Sequence, residues 1–153
     1  MAAPSAMVLY AKYKNQLKMS DLASANLRML LTSSTYTPNV TVTGHGALAD
    51  VTNEIANGQG YTTGGVSLTG TVAATAGNNG YKLSSGDAVW TASGTGIPAC
   101  RYAVLYYVGA LWGATSPLLG YILLDSAPAD IPLTAAGNTL TITCPATGWF
   151  DLV

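Results

Sequence analysis

Apolar and polar residues alternate over short distances along this chain and rarely sustain a helical period. Val66, Leu68, Gly70 and Val72 interleave with Ser67, Thr69, Thr71 and Ala73, the two-residue period of a half-buried strand. Gly77, Asn78, Asn79 and Gly80 follow, residues that tolerate positive φ, so residues 81–84 are predicted to return antiparallel as a β-hairpin. Leu27, Met29 and Leu31 alternate in the same way before Pro38 stops the run. Ahead of them, Ser20 and Asp21 suit the N-cap and first turn of a short helix. Residues 8–17 are predicted to form a first strand, with Val8, Tyr10, Lys12 and Lys14 on one face and Leu9, Ala11 and Tyr13 on the other. Further strands are expected at 87–92, 101–108, 118–124, 139–144 and 148–153. The segment 101–108, dense in tyrosine and valine, reads as a central strand, and Trp149, Phe150 and Leu152 read as core. Residues 38–65, rich in Thr, Asn and Gly, read as a long ordered surface connection.

Glycine or proline interrupts nearly every apolar run, which leaves room for short strands and turns but for no long helix. The expected fold is therefore mostly β, an antiparallel β-sandwich or barrel with an N-terminal arm. Residues 1–25 form that arm and the first strand, and 26–153 a single β-domain.

Charge changes this picture more than length does. Charged residues make up 8% of the 153-residue chain, against about a quarter in ordinary soluble proteins. Such a deficit is expected where surface is covered by other protein chains, because charge is depleted in interface cores. Net charge is -1, which offers no field for nucleic acid or acidic lipid. The distribution is uneven: Lys12, Lys14, Lys18 and Arg28 lie in the first 28 residues against Asp21 alone, while Lys82 and Arg101 face six acids in the rest. A cationic arm docking on an acidic neighbour is one reading, and the solvated side of a strand the other. The opening residues lack the order of a secretory signal, and no apolar run reaches membrane-spanning length, so no membrane partner is expected. Cys100 and Cys144 lack metal spacing and read as buried free thiols.

Candidate chemistry is thin. His45 sits between two glycines without an acid beside it, and Asp50 and Glu54 stand four apart without the ligand spacing of a calcium loop. The glycine-rich stretches 44–50 and 58–65 lack the Lys-Ser/Thr ending of a phosphate loop. Nine tyrosines and three tryptophans have too few basic residues among them for a nucleic-acid platform. No enzyme, no cofactor and no metal is expected.

Several segments together resemble a family of small structural proteins from the heads and virions of tailed bacteriophages. They are NLRMLLTSSTYTPN at 26–39, ADVTNEIANGQGYTTGG at 49–65, the Asp-x-x-Trp strand at 87–90 within GDAVWTASGTGIPACRYAVLYY, and SPLLGYILLD at 116–125. Their order covers most of 26–153, while residues 1–25 have no counterpart in the pattern. The resemblance implies a β-rich particle component without catalysis, located in the virion. Its first expectation is a capsid decoration (cement) protein, homotrimeric, with the major capsid protein or another virion protein as partner. Neck, tail or head-fibre protein is the alternative. From another class comes a carbohydrate-binding β-module using Trp90, Trp112, Trp149 or tyrosines as sugar platforms. The expected contact residues are Val8, Tyr10, Lys12, Tyr13, Lys14 and Lys18, on an arm that adds to a neighbour's sheet edge, with Arg28 just beyond it.

Overall fold

The computed structural model describes residues 4–127 and 129–153, and within them the chain is mostly β, with short 3-10 turns in place of α-helices. Its strands are β1 (Val8–Leu9), β2 (Asn26–Thr32), β3 (Val66–Thr69), β4 (Thr71–Ala74), β5 (Tyr81–Ser84), β6 (Ala88–Thr91), β7 (Tyr102–Tyr107), β8 (Ala110–Leu111), β9 (Ala114–Thr115), β10 (Leu118–Leu123), β11 (Thr139–Ile142) and β12 (Phe150–Leu152). Every pairing between strands is antiparallel. A five-stranded sheet in the order β1-β10-β7-β2-β3 carries the fold, and β7 is its central strand, as its composition predicts. The smaller sheets β12-β5-β4 and β11-β6 lie across one of its faces, giving a sandwich-like arrangement and not a closed barrel.

Alternation on β2 and β7 divides the interior in two. Leu27, Met29, Leu31, Ala103 and Leu105 point into the larger core, where they meet Leu83, Ala88, Trp90, Ile142 and Phe150 from the smaller sheets. The intervening residues Leu30, Val104 and Tyr106 point the opposite way, into a second core with Tyr10, Tyr36 and Leu118. A bulge between Leu118 and Gly120 shifts the alternation of β10, so that Leu119 and Ile122 face the larger core while Leu118 and Tyr121 face the second.

Residues 38–65 form the long surface connection their composition predicts, without a strand, and they do more than connect. Val40, Leu48 and Val51 roof the far face of the five-stranded sheet, and Ile55 and Tyr61 are buried. A sheet with apolar residues on both faces needs two covers, and only one could come from other strands.

Three local expectations are corrected. The strand predicted over 8–17 ends at Leu9: the Tyr10 amide still donates to the Leu119 carbonyl, but β10 bulges between Leu118 and Gly120, the amide of Ala11 turns away to the carbonyl of Val40, and residues 14–16 close a 3-10 turn. Ser20 caps no helix. A 3-10 turn spans Met19–Leu22 with Lys18 at its N-cap, and its two buried residues, Met19 and Leu22, stand three apart as that period requires. The strand read over 66–75 breaks at Gly70 into β3 and β4, which belong to different sheets. A β-carbon at Gly70 would lie 2.2 Å from the carbonyl oxygen of Leu22, so glycine lets the crossing strand touch that turn. The predicted hairpin forms as β4 and β5, pairing Thr71 with Ser84.

Residues 4–25 are part of the folded body. Val8 pairs with Tyr121, the amide of Ser5 donates to the carbonyl of Leu123 at 2.9 Å, and Tyr10, Met19 and Leu22 are buried. The arm thus adds to a sheet edge of its own chain.

Candidate functional site

Burial beneath the 38–51 roof brings together side chains from distant parts of the sequence. The Tyr10 and Tyr36 hydroxyls are 2.8 Å apart, and the Tyr36 hydroxyl lies 2.9 Å from His45 Nδ1. His45 Nδ1 also faces the amide of Asn39 at 3.4 Å, which makes this nitrogen an acceptor and orders the chain: Tyr10 donates to Tyr36, and Tyr36 donates to His45. The imidazole stacks on Tyr36 with ring centres 5.5 Å apart. Tyr102 and Tyr121 complete the aromatic group edge-on. His45 is therefore a packed residue, not the mobile loop histidine its glycine neighbours suggest. Desolvation, and then the bond to Tyr36, push the Tyr10 phenol far above its ordinary range; desolvation raises Tyr36 as well. Both hydroxyls stay protonated and serve as structural donors.

The two carboxylates singled out in the sequence have separate tasks. Asp50 Oδ2 accepts the amides of Gly46 and Ala47 at 2.8 and 3.0 Å, closing the loop that carries His45. Those two amides, outweighing partial burial, hold its carboxyl below the usual range. Glu54 Oε1 accepts the Tyr61 hydroxyl at 2.7 Å and the Gly64 amide at 2.5 Å. Asp50 and Glu54 thus anchor different loops and share no acceptor site. Among the described residues, no three His, Cys, Asp or Glu side chains gather as a metal site would require.

The expected contact residues divide by exposure. Lys12, Lys14 and Lys18 are exposed, as is Val8 at 40%, while Tyr13 is half-buried against Gly46. Tyr10, 3% exposed, is consumed by the second core and cannot reach a neighbour. Arg28 points along its own sheet, Nη2 donating to the Gly65 carbonyl at 2.8 Å. Arg28 is half-buried because alternation on β2 turns it toward the covered far face, and Tyr10 is buried because the chain leaving β1 packs it into the second core.

The tryptophans offer little to a sugar. Trp90 and Trp149 are each 4% exposed, and Trp112 is half-buried with its indole N–H on Asp21 at 3.1 Å. Cys100 is buried and free, its thiol pushed up to about 12 by desolvation, and Cys144 is free and half-buried.

One feature of the surface lies outside these expectations. Between the N-terminal segment and strands β11 and β12 runs an open groove of about 900 Å³, with Met7, Leu9, Ile122, Ile142, Trp149 and Phe150 among its walls. Lys14 and Asp151 are its charged lining residues. The sequence held a signal for it, since residues 131–150 contain no charge at all. The missing knowledge was that β1 and β11, far apart in sequence, flank one opening. No family model, curated protein or solved structure matches this chain.

Proposed function

We propose that this chain is a structural subunit of a tailed-bacteriophage particle, a capsid decoration protein that works by protein–protein contact and carries out no chemistry. One structural observation favours this reading: the polar groups suited to catalysis are tied to their own chain, while the free surface offers a charge-poor groove of mixed polar and apolar lining beside exposed Lys12, Lys14 and Lys18. Grooves of this kind on a charge-depleted surface are suited to another protein chain. The resemblance of residues 26–125 to virion proteins supplies the particle.

The test is compositional. Particles purified from the phage that encodes the chain should contain it in stoichiometric, many-copy amounts. Particles made without the gene should lose infectivity faster on heating and recover when the protein is added back. Presence at only a few copies per particle would move the protein to the neck, tail or head fibre. Purified particles that lack it altogether would overturn the reading.

A further inference from the structure

Sheet edges are where a β-protein invites another chain, and this molecule protects its edges unequally. The free side of β6 is met by its own chain, the amide of Ser93 donating to the Gln59 carbonyl and Gly60 lying against Thr91. β12 has charged Asp151 at its centre, and β1 is two residues long. β11 has none of these devices; β4 also lacks charge and proline, but of the two only β11 borders the groove. Its sequence Thr-Leu-Thr-Ile carries no charge and no proline, and the strand pairs with β6 on one side only. The Ala92 amide bonds the Asn138 carbonyl, so the alternating ladder assigns Leu140 and Ile142 to exchange bonds with β6. Thr139, Thr141 and Thr143 accordingly direct their N–H and C=O groups outward. Their side chains are exposed, and Thr141, Ile142 and Thr143 form one lip of the groove.

We propose that this edge is a homodimer interface, in which β11 pairs antiparallel with β11 of a second copy across a two-fold axis at Thr141. Thr141 then faces its own counterpart, and Thr139 faces Thr143 of the second copy, giving β-branched cross-strand pairs along the seam. The result is a continuous sheet β6-β11-β11-β6, closing the groove beneath. Two observations select a second copy over a foreign chain. A two-fold interface must be self-complementary, and a strand in a stretch without charge from 131 to 150 meets its copy without like-charge repulsion. The groove lining also carries one cation and one anion, Lys14 and Asp151, so two copies meet over it with opposite charges in balance. The inference concerns self-association alone and goes beyond the particle reading.

Sedimentation velocity of the full chain over a dilution series tests it. The wild type should pass from dimer to monomer on dilution. Thr141→Pro removes only an amide that the chain itself does not use, and should weaken dimerisation by roughly tenfold or more with an unchanged β-type circular dichroism spectrum. Thr141→Lys, which keeps the amide but places a charge on the seam, is the second variant and should act in the same direction. A wild-type chain that stays monomeric, or an oligomer of any size indifferent to both Thr141 variants, overturns the inference. A chain that dimerises through β11 but is absent from particles overturns only the proposed function, whereas a particle protein indifferent at Thr141 overturns only the dimer.

Discussion

Tyr36 ties two structural tasks into one side chain. Its hydroxyl accepts from Tyr10 and donates to His45, under a roof that excludes water from the Tyr10 end. Tyr36→Phe should therefore cost about 1–3 kcal/mol in urea denaturation, because both former partners lose a bond. Asp50 gives a pH signature. Its folded carboxyl is held low by the Gly46 and Ala47 amides, so below the usual carboxylate range the unfolded chain binds more protons than the folded one. Stability from this residue is present above about pH 4 and is lost as pH falls through the lower folded value. Asp50→Asn should flatten the acid limb of the stability curve. At the opposite end, burial raises Tyr10 and Tyr61, so the unfolded chain releases those protons first. Their contribution is complete below about pH 10 and fades above it, and Tyr61→Phe should reduce that alkaline loss. None of these partnerships was readable from spacing: Tyr10, Tyr36 and His45 look like unrelated residues until the second face of the sheet brings them together.

Among the elements, strands with clear alternation or strong β composition stood where the sequence puts them: β2, β7, β10 and the β4–β5 hairpin. Errors fell where a partner strand, not the local pattern, sets the length. The 8–17 strand stops at Leu9 because β10 bulges between Leu118 and Gly120 and the Ala11 amide turns to Val40, and 66–75 splits at Gly70 because that residue touches the Leu22 carbonyl. Gly70→Ala should accordingly destabilise the chain by about 1–3 kcal/mol in the same denaturation assay, since backbone and not a movable side chain blocks the added carbon. The docked arm changes another expectation. Removing residues 1–18 takes β1 from the edge of β10 and Tyr10 from the second core, so the truncated chain should show a clearly lower Tm and a tendency to aggregate. A truncation that melts like the wild type would mean the segment adds nothing to the fold.

For the whole molecule, the uneven charge acquires a location. Of the expected contact residues, the lysines and Val8 remain free, whereas Tyr10 is spent internally and Met7 and Leu9 are half-buried. Attachment to an acidic neighbour through this segment would then depend on exposed lysines more than on apolar burial. Exposed charges are screened within about 10 Å at 0.1 M salt, so particle binding through the arm should weaken as salt rises. Co-sedimentation with particles across a salt series measures this, and binding indifferent to salt would shift the contact to the groove.

The amino-acid sequence by itself determined the class of this protein: short alternating runs punctuated by glycine and proline permit antiparallel strands and little else, and scarce charge marks a surface unlike that of an ordinary soluble monomer. It also set β7 at the centre, because β-branched and aromatic residues on both faces need cover on both sides. Tertiary structure alone decided that residues 36–51 supply one of those covers, that the arm pairs with its own sheet, and that β1 and β11 border a common groove. The reason is range: alternation and turn chemistry act over a few residues, whereas the far-side cover, the edge partner and the groove depend on which distant segments reach the same face.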